Sequence, residues 1–245
     1  APPIEGGWSR MRIRSVFYND GTGAANTGSL GDVVASMFIR RRAGDPEIYY
    51  NIRRCDDAEC NTSTLDEDGI LIPDAAFDQT YTLAVTRTSN QFTFTAMPKG
   101  GTPVIATKTS RYPATVPPWS PNLAFRAEVI AEATGPGAEG YVAGTFDNIY
   151  INDTSAPYDD FSGPTIDRAK WNINDTETVR EVKDGALVQR AVTPAGIGSA
   201  GRSTASRLTN PNAVSLLAVD VMVTDVALAS SMEWGQAGLR GTFYN

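Results

Sequence analysis

The residues of this chain that could do chemistry are carboxylates, lysines, tyrosines and two cysteines, because its 245 residues include no histidine. Serine–histidine and cysteine–histidine nucleophiles are therefore excluded in their usual form. Metal sites built on imidazole are excluded for the same reason. Any enzyme built on this chain would have to work with carboxylates, lysine, tyrosine or a hard cation.

The two cysteines, Cys55 and Cys60, stand five positions apart in a polar stretch. Two cysteines cannot complete a structural zinc site. Their spacing predicts a small disulfide-closed loop at the tip of a hairpin, with a reduced pair as the alternative. A disulfide would indicate an oxidising compartment, so we expect a secreted, extracellular protein.

The net charge excludes some classes of binding partner. The chain carries 21 Lys+Arg against 28 Asp+Glu, a formal net charge of -7. Binding to a nucleic-acid backbone requires a basic face, and adsorption to an anionic membrane requires basic clusters. No apolar run is long enough for a membrane-spanning helix. We therefore expect neither a nucleic-acid partner nor membrane insertion.

The elements that would position these residues are β-strands. Polar and apolar residues alternate, or apolar residues run together, in short segments that are typical of strands: 10–17, 33–39, 47–54, 80–88, 91–95, 125–130, 144–151, 186–192 and 214–223. Turn clusters separate many of them, including Asp68-Gly69, Lys99-Gly100-Gly101 and Asp184-Gly185. The pattern predicts an all-β sandwich or barrel.

A segment near the N terminus recurs at the C terminus at a spacing of 226 residues. The two segments align without gaps over twelve positions and are identical at five, and Ile13 aligns with Leu239. The matched residues that we expect to form assembly strands are Trp8, Phe17, Tyr18 and Asn19 in the first copy and Trp234, Phe243, Tyr244 and Asn245 in the second. Such an echo indicates a repeat of one large domain.

Two further motifs resemble the concanavalin A-like lectin/glucanase superfamily, which includes laminin G-like domains. The stretch Tyr158-Asp159-Asp160-Phe161-Ser162-Gly163-Pro164, followed by Lys170-Trp171, resembles the opening of such a domain, and residues 144–151 resemble its closing strand. The closing strand here precedes the opening motif, so the resemblance covers nearly the whole chain in rotated order. It implies a concanavalin A-like jelly-roll β-sandwich of antiparallel strands.

The rotated order allows three arrangements. Residues 8–152 could finish one repeat of a tandem array while residues 157–245 begin the next. Alternatively, the chain is a subunit whose C-terminal part completes a neighbour, which would build head-to-tail filaments by strand exchange. A permuted monomer would leave one copy of the repeated strand unused, a pairing hazard, and we disfavour it. We therefore expect tandem repeats or a homo-oligomer with a structural or adhesive role.

Relatives of this fold include glucanases, which makes catalytic carboxylates and metal ligands a possibility for this chain. The alternating Glu-x-Asp-x-x-Glu signature of those hydrolases is missing, and the consecutive Asp66-Glu67-Asp68 predicts a solvated turn. We expect no catalysis, with a diverged glycoside hydrolase or lyase as an alternative. In several relatives acidic residues at these termini bind calcium, which makes Asp147, Asp159 and Asp160 candidate calcium ligands. Asx turns or strand-end caps are the alternative.

A carbohydrate-binding, lectin-like module is the other alternative function. Trp119 lies in the stiff stretch Pro117-Pro118-Trp119-Ser120-Pro121 and is the tryptophan least easily explained as core. It could stack on a glycan ring from a loop, or it could cover the edge of the sandwich. Trp8, Trp171 and Trp234 are expected in the core.

Overall fold

The chain folds into an antiparallel two-sheet β-sandwich. The computed structural model describes residues 9–22, 28–41, 46–117, 125–133, 141–151, 155–163, 167, 170–176, 178–192, 199–207, 216–225 and 233–241. Every regular element in these ranges is a β-strand. The all-β expectation and the two-sheet antiparallel architecture are thus confirmed. In these same ranges no helix is long and apolar enough to cross a membrane.

Fifteen strands are described. In chain order they are β1 (Ser9–Asn19), β2 (Asp32–Arg41), β3 (Glu47–Cys55), β4 (Ser63–Ile72), β5 (Tyr81–Thr88), β6 (Gln91–Pro98), β7 (Val104–Thr109), β8 (Phe125–Ala133), β9 (Tyr141–Ile151), β10 (Asn172–Thr176), β11 (Thr178–Lys183), β12 (Ala186–Val192), β13 (Ser199–Arg207), β14 (Leu216–Asp225) and β15 (Glu233–Gly241).

The strands divide into an eight-stranded and a seven-stranded sheet. The first has the order β10-β13-β8-β1-β2-β3-β4, with β15 paired to β8, and the second has the order β11-β12-β9-β14-β5-β6-β7. Both sheets contain strands from before and after residue 151. The segments that resemble the end and the beginning of a jelly roll therefore complete the same two sheets.

The core lies between the two sheets, and the alternation of the strands fills it. Leu83 and Val85 of β5 are buried with Phe92 and Phe94 of β6, while the intervening residues face outward. The ring of Phe94 stacks on that of Tyr50 from the other sheet, with centroids 4.5 Å apart. Because side chains alternate across a pleated strand, each strand gives one apolar row to this layer.

One segment departs from its sequence-based expectation. Asp66 to Gly69, predicted as a turn, lies inside β4. Asp68 accepts a hydrogen bond from the Tyr49 hydroxyl on the neighbouring strand, and a Cβ at Gly69 would lie 2.6 Å from the hydroxyl oxygen of Tyr50. The polar and glycine residues that suggested a turn instead accommodate two tyrosines of β3 on an edge strand.

Candidate functional site

The feature of this fold that points to a function is a strand position in the eight-stranded sheet between β2 and β8, here called the first-strand slot. β1 fills it, paired antiparallel to both neighbours. Against β8, Ser9 lies opposite Ala131, and the pairing continues without a shift to Arg14 opposite Arg126. Met11 and Ile13 belong to the core cluster, so alternate residues of the slot's occupant face the core.

β15 pairs with β8 in the same register as β1. Gly235 lies opposite Ala131, the partner of Ser9, and Arg240 lies opposite Arg126, the partner of Arg14. The spacing between equivalent residues is the 226 residues that separate the two copies in the sequence. The two repeated segments of the sequence therefore pair with the same residues of β8.

β1 and β15 pair with the same stretch of β8 and lie on the same side of it. A strand has two edges, and β13 pairs along the other edge of β8 from residue 125 to residue 133. β15 lies against β1 and β2, which places it on the β1 side. The register and the contacts therefore assign β1 and β15 to the same side of β8.

The residues that the two copies share make specific contacts in β1. A β-bulge between Val16 and Tyr18 turns the consecutive Phe17 and Tyr18 both toward the core. Phe17 packs edge-on against Phe92, with ring centroids 5.0 Å apart, and Tyr18 lies nearly parallel to the same ring at 6.1 Å. The shared Phe-Tyr pair is thus a packing unit of the slot.

The buried residues Tyr18 and Asn19 also form hydrogen bonds. The Tyr18 hydroxyl donates to the Tyr112 carbonyl oxygen at 2.7 Å, and burial raises the pKa of Tyr18 to about 12. The Asn19 side-chain amide donates to the Leu30 carbonyl oxygen at 2.8 Å and to Asp32 Oδ1 at 2.9 Å. The Phe-Tyr-Asn end of β1 therefore closes the slot by both packing and hydrogen bonding.

Two contacts of β1 involve residues that the second copy does not share. Arg12 Nε donates to Glu128 Oε2 at 3.0 Å, and its Nη2 donates to the same oxygen, in a buried ion pair. Across the core, a Cβ at Gly144 of β9 would lie 2.8 Å from Met11 Sδ. The slot is thus shaped around an arginine and a methionine of β1.

The predicted disulfide is confirmed, and its loop covers one end of the slot. Cys55 and Cys60 are joined across the β3–β4 connection, with Cα atoms 4.9 Å apart. Cys60 packs on the cluster of Val16, Val34 and Cys55, and Arg14 Nη2 lies 3.3 Å from Cys60 Sγ. The loop therefore contacts β1 directly.

Asp57 organises this loop from within. Its carboxylate accepts hydrogen bonds from the Thr62 side chain and from the backbone N–H groups of Glu59, Asn61 and Thr62. These bonds, led by the Thr62 hydroxyl, lower the pKa of Asp57 to about 2. The loop has a carboxylate-centred hydrogen-bond network as well as a covalent closure.

Of the three candidate calcium ligands, Asp159 already uses both carboxylate oxygens as acceptors of hydrogen bonds from the protein. Its Oδ2 accepts from Trp171 Nε1 at 2.5 Å, and its Oδ1 accepts from the Phe161 N–H at 3.0 Å and lies 3.5 Å from Lys170 Nζ. Trp171 is buried, as expected for a core tryptophan. This carboxylate fits the Asx-turn interpretation.

Asp147 and Asp160 face a different environment. Burial raises the pKa of Asp147, and the negative charges of Asp220 and Asp160 raise it further. Asp160 is exposed, and hydrogen bonds from Ser162 lower its pKa. Among the residues that the structure describes, no three His, Cys, Asp or Glu side chains come together in a way that could hold a metal ion.

Asp147 also lines a cleft of about 500 Å³ on the outer face of the seven-stranded sheet. Residues of β9, β12 and β14 line the cleft, and its charged lining residues are Lys99, Asp147, Lys183, Asp184 and Asp220. Asp220 accepts hydrogen bonds from Thr82 and Asn148. No sequence signal had singled out this cleft, because its lining comes from strands that are far apart in the chain.

Several predicted residues lie outside the described part of the structure. These are Trp119, Trp8 and the second-copy residues Phe243, Tyr244 and Asn245. Of Trp234, the backbone is described in β15, where it lies opposite Glu132.

Comparisons with known proteins leave the family open. No model of a known protein family matches the chain, and no curated protein is significantly similar to it.

Proposed function

We propose that this chain is a non-catalytic structural module that joins head-to-tail to further sandwiches, with β15 of one unit serving as the first strand of the next. The observation that carries the proposal is the common register of β1 and β15 on β8. The following sandwich is either a covalent repeat or a separate subunit that accepts β15 by strand exchange.

Two physical arguments support this role. A strand that enters a sheet contributes a whole ladder of backbone hydrogen bonds, which is how β-augmentation supplies affinity. A contact between one end of a unit and a different position on the next does not close on itself, so it produces linear arrays. A strand with no slot to fill is a pairing hazard, and a following unit removes that hazard.

The proposal also includes the fold family of the sandwich and its cellular location. We assign the sandwich to the concanavalin A-like superfamily, because the Ile149 N–H of the closing strand donates to the carbonyl oxygen of Asp159 in the opening motif at 2.8 Å. The Cys55–Cys60 disulfide supports an extracellular setting, since such bonds persist in oxidising compartments.

A peptide-exchange experiment tests the proposal. A fluorescently labelled peptide of residues 7–19, the sequence of β1, is added to the full chain, and its incorporation is followed by anisotropy and by native mass spectrometry. We expect one peptide per chain, and competition by an unlabelled peptide of residues 233–245. A scrambled peptide of the same composition is the control.

Two outcomes would contradict the proposal. One is that the peptide of residues 7–19 fails to enter the chain under any condition that preserves the fold. The other is that it enters, but the peptide of residues 233–245 at saturating concentration does not compete. Either would mean that the first-strand slot is not shared.

A glycan-binding module is the second candidate, favoured by the cleft between Asp147, Asp220, Lys99 and Lys183. Carboxylates and ammonium groups in a cleft can fix the hydroxyls of a polar ligand. Glycan-array binding that is lost in Asp220→Asn and retained in the control Asp160→Asn would support it. Turnover of a polysaccharide that is abolished by Asp147→Asn would instead indicate an enzyme and would contradict the non-catalytic proposal.

A further inference from the structure

The two strands that share the first-strand slot do not fit it equally. β1 places Arg12 opposite Glu128, whereas β15 places Gly238 opposite the same residue. One position earlier, β1 places Met11 opposite Val129, whereas β15 places Ala237 there. At other positions the copies are alike, with Ile13 matched by Leu239 and Phe-Tyr-Asn ending both.

The Glu128 position is the more selective of the two. The Glu128 carboxylate is fully buried and accepts two hydrogen bonds from the Arg12 guanidinium, which is itself 7% exposed. A buried carboxylate that loses a hydrogen-bonded cationic partner is strongly destabilised. Glycine supplies no side chain to replace Arg12, so an occupant with Gly238 at this position loses both bonds.

The Met11 position discriminates by volume. Gly144 brings the backbone of β9 so near that a Cβ there would lie 2.8 Å from Met11 Sδ. Glycine at residue 144 therefore leaves room for a long side chain on the occupant. Alanine at the same position of the occupant would leave part of that room empty, and unfilled core volume destabilises a protein in proportion to its size.

We infer that β15 is built for a sandwich that is not identical to this one: a related unit with no buried carboxylate opposite Gly238 and with a side chain bulkier than glycine at the position of Gly144. In this chain β1 is then the tightly held occupant, and β15 extends toward the different, following unit. This inference rests on the proposed function, because it names the partner of the same strand.

Three peptides test it on the intact chain. All span residues 233–245: one has the natural sequence, one carries Ala237→Met and Gly238→Arg, and the control carries Gln236→Arg, which adds the same charge at the position of Arg10. Each competes with the labelled peptide of residues 7–19. The receiving protein is unaltered, so no variant has to fold.

We expect the doubly substituted peptide to bind at least roughly tenfold more tightly than the natural one, the factor that one hydrogen bond to a charged group contributes at the low end of its range. The Gln236→Arg control should stay within about threefold of the natural peptide, because it adds a charge without restoring the side chains opposite Glu128 and Val129.

The outcomes distinguish failure of this inference from failure of the proposed function on which it rests. If the natural peptide binds as tightly as the doubly substituted one, or if the control gains as much, the slot does not discriminate and the inference fails while slot sharing stands. If no peptide enters, including that of residues 7–19, the shared slot itself fails.

Discussion

Asp159 shows at the scale of a single residue how the opening motif is held. Its two carboxylate oxygens accept hydrogen bonds from the Trp171 indole and the Phe161 backbone. Asp159→Ala would leave these buried donors without their acceptor, so we expect the free energy of unfolding to fall by roughly 2–3 kcal/mol. Denaturant unfolding followed by tryptophan fluorescence measures this loss.

The neighbouring acid is the matched control. Asp160 is exposed and accepts from the Ser162 backbone at 3.1 Å, so Asp160→Ala should change the unfolding free energy by about 1 kcal/mol or less. Equal losses in the two variants would contradict the account. A calcium-dependent rise in melting temperature that Asp160→Ala abolishes would favour the calcium interpretation instead.

Tyr18 predicts a loss of stability at alkaline pH. Burial raises its pKa to about 12 from an ordinary value of 10.0, so the folded state favours the neutral phenol. The stabilisation is complete below pH 10 and disappears as the pH rises toward 12. A raised pKa of this size corresponds to about 2–3 kcal/mol.

Tyr18→Phe should remove part of that pH dependence and leave the rest. Burial also raises the pKa of Tyr49 to about 12, so the two residues contribute over the same range. We expect unfolding curves between pH 9 and 12 to fall less steeply in Tyr18→Phe than in the natural chain. Identical slopes would show that Tyr18 is not buried as a neutral phenol.

Sequence reasoning located some of these residues and missed their partners. The resemblance of residues 158–164 to a domain opening drew attention to Asp159, but the spacing could not show that Trp171 would take its carboxylate. The bond depends on how the chain returns after twelve residues, which local pattern does not encode. The spacing of Cys55 and Cys60 was sufficient, because a five-residue separation brings two side chains together within one hairpin connection.

At the scale of elements, the disulfide loop is the part of the sheet that holds β1 from outside. Cys60 packs on Val16 and lies beside Arg14, both in β1. Replacing both cysteines by alanine should lower the free energy of unfolding by roughly 2–3 kcal/mol, the range for closing a short loop. It should also speed the exchange of β1 with a peptide of residues 7–19.

The hydrogen bonds of Asp57 limit how much stability the chain loses when the disulfide is removed. Because they organise the loop without the covalent link, the double alanine variant should still fold. Hydrogen exchange of β1 amides checks both points. Unchanged protection of residues 12–16 in the variant would mean that the loop does not hold the strand.

Strand prediction from alternation succeeded for several strands that bury one face, and it missed others, among them β7 and β11. Residues 214–223 were expected to form a strand, and β14 spans Leu216–Asp225. The same reasoning failed for β4, whose residues are mostly polar on both faces because the strand lies at the edge of its sheet. With no apolar row to bury, its sequence resembles a turn.

At the scale of the whole molecule, strands from both halves of the chain complete the same two sheets, and β1 and β15 pair with the same stretch of β8. The repeat in the sequence predicted that two segments are equivalent. It could not predict that β8 is their common partner, since pairing between distant strands depends on the fold.

This arrangement predicts weak head-to-tail association of the purified chain. Sedimentation at increasing protein concentration should show a rising average mass, and a chain lacking residues 226–245 should remain monomeric, because the donor strand is gone. The control is a chain with Asp160→Asn, which should associate like the natural one. Association that survives the deletion would place the contact elsewhere.

The central claim, that β1 and β15 are alternative occupants of one edge of β8, is tested most directly by engineered cross-strand disulfides. Residues directly opposite one another in antiparallel strands lie within disulfide reach. Ala131→Cys is combined with Ser9→Cys, with Gly235→Cys, or with the out-of-register control Gln236→Cys. Mild oxidation then traps even a minor population of chains in which the two engineered cysteines lie opposite each other.

The account predicts that the pairs at residues 9 and 131 and at residues 235 and 131 both cross-link, while the pair at residues 236 and 131 does not. Peptide mapping identifies each bond. A chain in which only residues 9 and 131 become joined, with residue 235 still reduced at every protein concentration, would contradict it.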